Sequence, residues 1–182
     1  MHLDAGRTRY LKGQHRLIVF FGFIYPHKGV DLLFDIGDPE TDRIVIAGEF
    51  KSDAYRAALF SRASVRPWLG RADFLGFVQD KNVSALLAVA DAVVLPFQLG
   101  GGDWNTSIHA ATQTGSFVLT TSLSSSGYDA TQNVYFAEPG NLSEMRTALE
   151  SHAGHRREVE ATVHGWSNIA REHAALYAEV LS

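Results

Sequence analysis

The sequence predicts an α/β fold: a three-layer α/β/α, Rossmann-like, doubly wound sandwich on a mainly parallel six-stranded sheet, with a helical carboxyl-terminal tail. Three observations predict it. Short runs rich in Ile, Val, Leu and Phe recur without polar alternation, as strands covered on both faces require. Segments of helical periodicity separate them, so successive strands run parallel through crossovers. Those crossovers, being right-handed, lay helices on both faces of the sheet.

The elements follow in order. RLIVFFGF (16–23) is the first strand, and GVDLLFDIG (29–37) a short helix stopped near Gly37. RIVIAG (43–48) is the second strand; Ser52 then caps a helix over 52–64. ADFLGFV (72–78) is the third strand and NVSALLAVAD (82–91) an amphipathic helix with i, i+3, i+4 spacing. AVVLPF (92–97) is the fourth strand, followed by a glycine loop and a helix near 105–114. SFVLTTS (116–122) and NVYFAEPG (133–140) complete the sheet. Beyond Gly140, with Asn141 as candidate cap, three helical segments run to Leu181. Residues 1–15 are polar and read as a linker or chain edge, leaving 16–182 as one domain.

Composition agrees with that size. The 182 residues are 46% hydrophobic and 20% charged, which is globular and suits a single domain. Such a chain buries roughly 70% of its unfolded surface and needs no staple. There is no cysteine, so disulfides and thiolate chemistry are excluded, and a cytoplasmic location is expected. A net charge of −4 without a basic block argues against nucleic acid as partner. The longest apolar run, Leu17 to Tyr25, is interrupted by Gly22 and too short to span a bilayer; the amino terminus lacks the apolar core of a signal peptide.

Candidate chemistry gathers where strands end. In such sheets, ligands sit beyond the carboxyl ends of the strands. LPFQLGGGDWNTSIHAATQTG (95–115) leaves one such end and enters a helix. Gly101 and Gly102 allow close backbone approach, and the first-turn amides of Asn105, Thr106, Ser107 and Ile108 offer positive partial charge to an anion such as phosphate. The same residues also serve as a plain flexible turn with Asp103, Asn105 or Thr106 as cap. Neither a Walker loop nor G-x-G-x-x-G after the first strand is present. In GFIYPHKG (22–29), Gly22 ends the first strand and Lys28 precedes a helix start, where its ammonium can share that anion or simply be solvated. AGEF, with Gly48 and Glu49, and GFVQD, with Gly76, Phe77 and Val78, end the next two strands and are placed to wall a nucleoside. The eight histidines are scattered, and neither a metal cluster nor a hydrolytic triad is legible.

FFGFIYPHKGVDLL, IVIAGEF, FLGFVQDKNVSALLAVADAVVLPF and TGSFVLTT, in that order, resemble the carboxyl-terminal domain of GT-B glycosyltransferases, nearest to family 4, the group 1 type. The tail GWSNIAREHAALYAEVL is similar to that group's closing helices, so the resemblance covers residues 16–181. It implies a retaining enzyme whose donor is a nucleotide-diphosphate sugar and which requires no metal. It also implies an amino-terminal acceptor domain that this chain lacks, through which alone membrane contact is expected. By the same resemblance Lys28 and the amides near Thr106 and Ser107 stabilise the leaving diphosphate, and Gly76 to Val78 form the base-binding loop.

The family's pattern is incomplete here. Its usual Arg falls on Phe23 and its two Glu positions on Gly102 and Ala110, with Asp103 adjacent to cover the first. His109 reads as a helix-face residue. The leading expectation is therefore the donor-binding half of a hexosyltransferase. Its turnover alone should be weak, because a site without a positioned acceptor forfeits about 7–11 kcal/mol of proximity. The alternatives are a non-catalytic module that has lost its site, and another Rossmann-like nucleotide enzyme such as a sugar-nucleotide epimerase.

Overall fold

A computed structural model describes residues 2–101 and 105–159. Seven strands form one sheet, in the order β3-β2-β1-β4-β5-β7-β6. β1 (Arg16–Phe21) lies inside, parallel to β2 (Asp42–Ala47) and β4 (Ala92–Leu95). β3 (Ala72–Gly76) pairs with β2 in parallel, and β5 (Val118–Thr121) joins β4 to β7 (Val134–Ala137). The order reverses between β1 and β4, which makes their carboxyl ends the switch point where a doubly wound sheet opens a crevice.

The helices explain why β4 is apolar throughout and why β1 and β2 are apolar after their charged first residues, Arg16 in β1 and Asp42 and Arg43 in β2. α2 (Leu33–Ile36) follows β1 and packs on α6 (Leu142–His152); α4 (Asp80–Val89) contacts α5 (Thr106–Thr112) and β1. α3 (Asp53–Ala63) connects β2 to β3 and is capped as its sequence predicts, with the Ser52 hydroxyl accepting from the Tyr55 amide. With helices on both faces, Ile18, Val19, Ile44, Val45, Val93 and Val94 are wholly buried.

Four details depart from the sequence reading. A seventh strand, β6 (Gly127–Asp129), adds to the edge antiparallel to β7; at three residues it carries no readable periodicity. Over 29–37 the chain makes a 3-10 turn (Val30–Leu32) before the single turn of α2. The third strand stops at Gly76, and α4 begins at Asp80 rather than at residue 82.

The fourth departure is the segment expected as a linker, which forms α1 (His2–Leu11) and packs on α4. Leu11 is buried, and Arg7 donates to the Asp91 carboxylate at 2.9 Å and to the His15 carbonyl. Asp91 also accepts from the Leu17 amide, so the start of β1 is tied to the start of β4.

After Asn141, whose side chain accepts from the Glu144 amide, α6 runs to His152 and the chain returns to Asp91, where the Gly154 amide donates to its carbonyl. Arg156 then satisfies the Ala88 and Ala90 carbonyls at the end of α4 and bonds the Ser116 hydroxyl. The remaining two tail segments, GWSNIAREHAALYAEVL among them, lie outside the described residues.

Candidate functional site

At the switch point the chain leaves β1 through Gly22 and closes a 3-10 turn over Pro26–Lys28, with Pro26 preset at its first position. Gly29 ends this turn in the left-handed region, at φ 66°, and a Cβ there would lie 2.1 Å from the Pro96 carbonyl oxygen. Only glycine lets the β1 loop lie so close to the end of β4. The Gln98 amide donates to the His27 carbonyl and fixes the two loops together.

That arrangement carries Lys28 over the Phe97 ring, with Nζ 4.5 Å from the centroid. Burial pushes the Lys28 ammonium below its ordinary value, and among the described residues no carboxylate pairs with it. It is a partly desolvated cation facing the crevice.

β2 ends at Gly48, whose missing Cβ would meet the Gly22 carbonyl oxygen at 1.8 Å. The two strand ends therefore touch backbone to backbone. The Gly22 amide donates to Ala47 and the Gly48 amide to Gly76, forming a step across three adjacent strand ends. Beyond the step, Glu49 bonds Lys51 at 2.8 Å, while Phe77 stands 72% exposed beside Val78.

The opposite wall is the start of α5. Asn105 is its cap, and its Oδ1 accepts from the Ser107 amide at 3.0 Å and the Ile108 amide at 3.3 Å. This changes the expected anion site: two of the amides assigned to a ligand are already bonded to the chain itself. The Thr106 amide meets no acceptor among the described residues. Gly22 faces this turn directly, since a Cβ there would sit 3.4 Å from the Ser107 hydroxyl.

Together these groups enclose a cleft of 740 Å³. Gly22, Lys28, Gly48, Glu49, Phe77, Val78, Asn105, Thr106 and Ser107 line it, drawn from four loops separated in sequence. Gly76, Gly101 and Ile108 do not line it. The Gly101 amide donates to the Thr121 carbonyl, and a Cβ on Gly101 would lie 2.6 Å from Ile108 Cδ1, so this glycine closes the loop and offers no amide to a ligand. Gly102 and Asp103 lie outside the described residues.

The model of the family described as "Glycosyl transferases group 1" matches residues 15–154, most of the 182-residue chain. The chain belongs to the group 1 glycosyl transferases.

Solved structures agree in fold. HepE of Anabaena, determined with UDP and glucose, matches with a TM-score of 0.65 at 18% identity over 83% of this chain and 45% of that one. Sucrose-phosphate synthase of Thermosynechococcus elongatus matches with 0.73 at 16% identity, over 97% and 49%. The C-terminal domain of the group 1 glycosyl transferase LpcC of Francisella tularensis matches with 0.62 at 19%, over 80% and 79%. The chain thus spans less than half the length of HepE and of the synthase. No curated protein matches this chain.

This group 1 glycosyl transferase also lines its cleft with residues that sequence reasoning passed over: Tyr25, Phe97, Asp80 and Val83. Tyr25 stacks on His27, ring centroids 5.2 Å apart, and so stiffens the Lys28 loop. Asp80 and Val83 reach the cleft because α4 starts early, which brings its first turn beside Phe77. Phe23, on the position of the family's usual Arg, is 56% exposed at the cleft mouth. Among the described residues no group of His, Asp and Glu is arranged to hold a metal, and no helix is long and apolar enough to cross a membrane.

Proposed function

We propose that this chain is the donor-binding unit of a retaining hexosyltransferase, holding a nucleoside-diphosphate sugar while a second, amino-terminal unit presents the acceptor. One observation carries the reading: Lys28, a partly buried cation without a carboxylate partner among the described residues, lines the same cleft as Gly22, the Ser107 hydroxyl and the start of α5, where the Thr106 amide meets no acceptor among the described residues. An anion is the ligand such a pocket suits, and Phe77 with Val78 supplies an apolar wall for a base at its other end. HepE, similar in fold, was solved with UDP and glucose, which supports a nucleotide-sugar donor.

In this reading Lys28 and the Thr106 amide neutralise charge building on the departing diphosphate. Such preorganised donors act at the oxygen that gains charge and need no metal. Asp103 accepts a hydrogen bond from a sugar hydroxyl, in place of the family's first Glu. The acceptor unit completes the reaction centre, so the chain alone turns over slowly or not at all. A cytoplasmic location accompanies a soluble activated-sugar donor.

The second reading, a module that keeps the fold without chemistry, draws on Phe23 and Ala110, neither of which can serve as the Arg and Glu of the family pattern. Titration calorimetry with UDP, GDP, ADP and TDP, first without metal and then with Mg²⁺, separates the two. Metal-independent binding of one diphosphate, weakened by Lys28→Met, is the expected result. Absence of binding to this chain and to its full-length parent would favour the module.

A further inference from the structure

We propose that Lys51 is a second phosphate-binding cation of the cleft, held in reserve by Glu49 and Phe23 and transferred to the diphosphate when that group enters; the inference rests on the donor-site reading above.

The geometry starts from the backbone. The Ile24 amide donates to the Glu49 carbonyl at 2.9 Å, and the Lys51 amide donates back to the Ile24 carbonyl at 3.2 Å. The loops after β1 and β2 are thereby clipped together, and Lys51 is fixed opposite Phe23. Its side chain meets two partners at once: the Glu49 carboxylate at 2.8 Å, and the Phe23 ring, whose centroid lies 4.6 Å from Nζ. Both partners line the cleft, although Lys51 itself does not.

The charge of the cleft supplies the reason for a transfer. Among the described residues its charged lining groups are Lys28, Glu49 and Asp80, one ammonium against two carboxylates. A diphosphate brings several further negative charges, and like charges brought together in a partly desolvated pocket repel. The hydrogen bond that Lys51 donates to the Glu49 carboxylate holds its ammonium above the ordinary lysine value, on the charged side. An exposed Lys–Glu pair is weak, so exchanging Glu49 for a phosphate oxygen costs little. The Phe23 ring stays in place during that exchange and shields the face of the cation away from the ligand. A residue that looks like the loss of a cation, Phe where Arg is usual, thus becomes the seat of one supplied from the neighbouring loop.

The test reads the contribution of the terminal phosphate. Binding of UDP against UMP, GDP against GMP, ADP against AMP and TDP against TMP is measured for the wild type, Lys51→Met, Lys51→Arg and Glu49→Gln, each first shown by thermal melting to be folded. Lys51→Met should shrink the diphosphate-to-monophosphate affinity ratio by about fivefold, within the range of a partly exposed ion pair. Lys51→Arg should retain the ratio, and Glu49→Gln, which frees the ammonium, should enlarge it. A ratio unchanged in Lys51→Met, or reduced as much by Glu49→Gln as by Lys51→Met, overturns the role of Lys51 alone. Failure of all eight nucleotides to bind the wild type overturns the donor site together with it.

Discussion

The Lys28 ammonium rests over the Phe97 ring, 4.5 Å from its centroid, and among the described residues no carboxylate forms an ion pair with it. Replacing Lys28 by Met should weaken nucleoside-diphosphate binding about tenfold or more, since a hydrogen bond to a charged group is worth about 1.5–3 kcal/mol. Phe97→Leu keeps the apolar volume and removes the ring quadrupole, and about a threefold loss is expected. Calorimetry on the two variants tests the order: an effect of Phe97→Leu larger than that of Lys28→Met contradicts it.

Lys28 also leaves a mark on stability without ligand. Desolvation lowers its folded-state value below the ordinary 10.5. Between that lowered value and 10.5 the unfolded chain binds more protons than the folded one, so stability rises as pH climbs through this window. Lys28→Met lacks the titration, and its melting temperature should rise less than the wild type's over the same range. Parallel curves from the two proteins would count against burial as the cause.

Asn105 separates helix capping from ligand binding. Asn105→Ala removes the acceptor for the Ser107 and Ile108 amides and should cost about 1 kcal/mol of stability. Asn105→Asp keeps the cap and the stability, but places a carboxylate where the diphosphate is expected, and affinity should fall severalfold. Chemical denaturation paired with nucleotide titration reads both effects. An Asp variant that binds as well as the wild type would show that the anion sits elsewhere.

Gly48 and Gly140 both have positive φ, and their surroundings make opposite predictions. A Cβ on Gly48 strikes the Gly22 carbonyl oxygen at 1.8 Å, whereas one on Gly140, at φ 81°, meets nothing within 4 Å. Gly48→Ala should therefore cost roughly 3 kcal/mol or more, through backbone displacement at the cleft floor. Gly140→Ala should cost about 1–2 kcal/mol, the left-handed penalty alone. Equal losses in urea titrations would mean that the β1 and β2 ends separate freely.

How much of this was legible in the sequence depends on what each residue faces. β1, β2 and β4 announce themselves because both of their faces are covered, leaving uninterrupted Leu, Ile, Val and Phe. β6 does not, since Gly127, Tyr128 and Asp129 form an edge strand too short for a pattern. α1 stays hidden because its anchoring rests on Leu11 and on the bond from Arg7 to Asp91, a residue far along the chain. Strand-end glycines and Lys28 pointed to the cleft, since chemistry in this topology collects at strand ends. What spacing could not convey was partnership: Asn105 occupying the amides of its own helix, Gly101 donating to Thr121, and Lys51 lying across Phe23.

Asp91 receives Arg7 from α1 on its carboxylate and Gly154, just beyond α6, on its carbonyl, so segments flanking the core on either side converge on one residue. Directly after it runs β4, and at the far end of β4 lies the cleft. The four residues of β4 span about 13 Å. Anything attached through those flanks holds the unit as a pivot holds a lever arm, with the nucleotide cleft at the tip. Tilting by about 10° at Asp91 sweeps the far end of that arm through roughly 2 Å, enough to make or break a hydrogen bond at the cleft, with the sheet moving as one body.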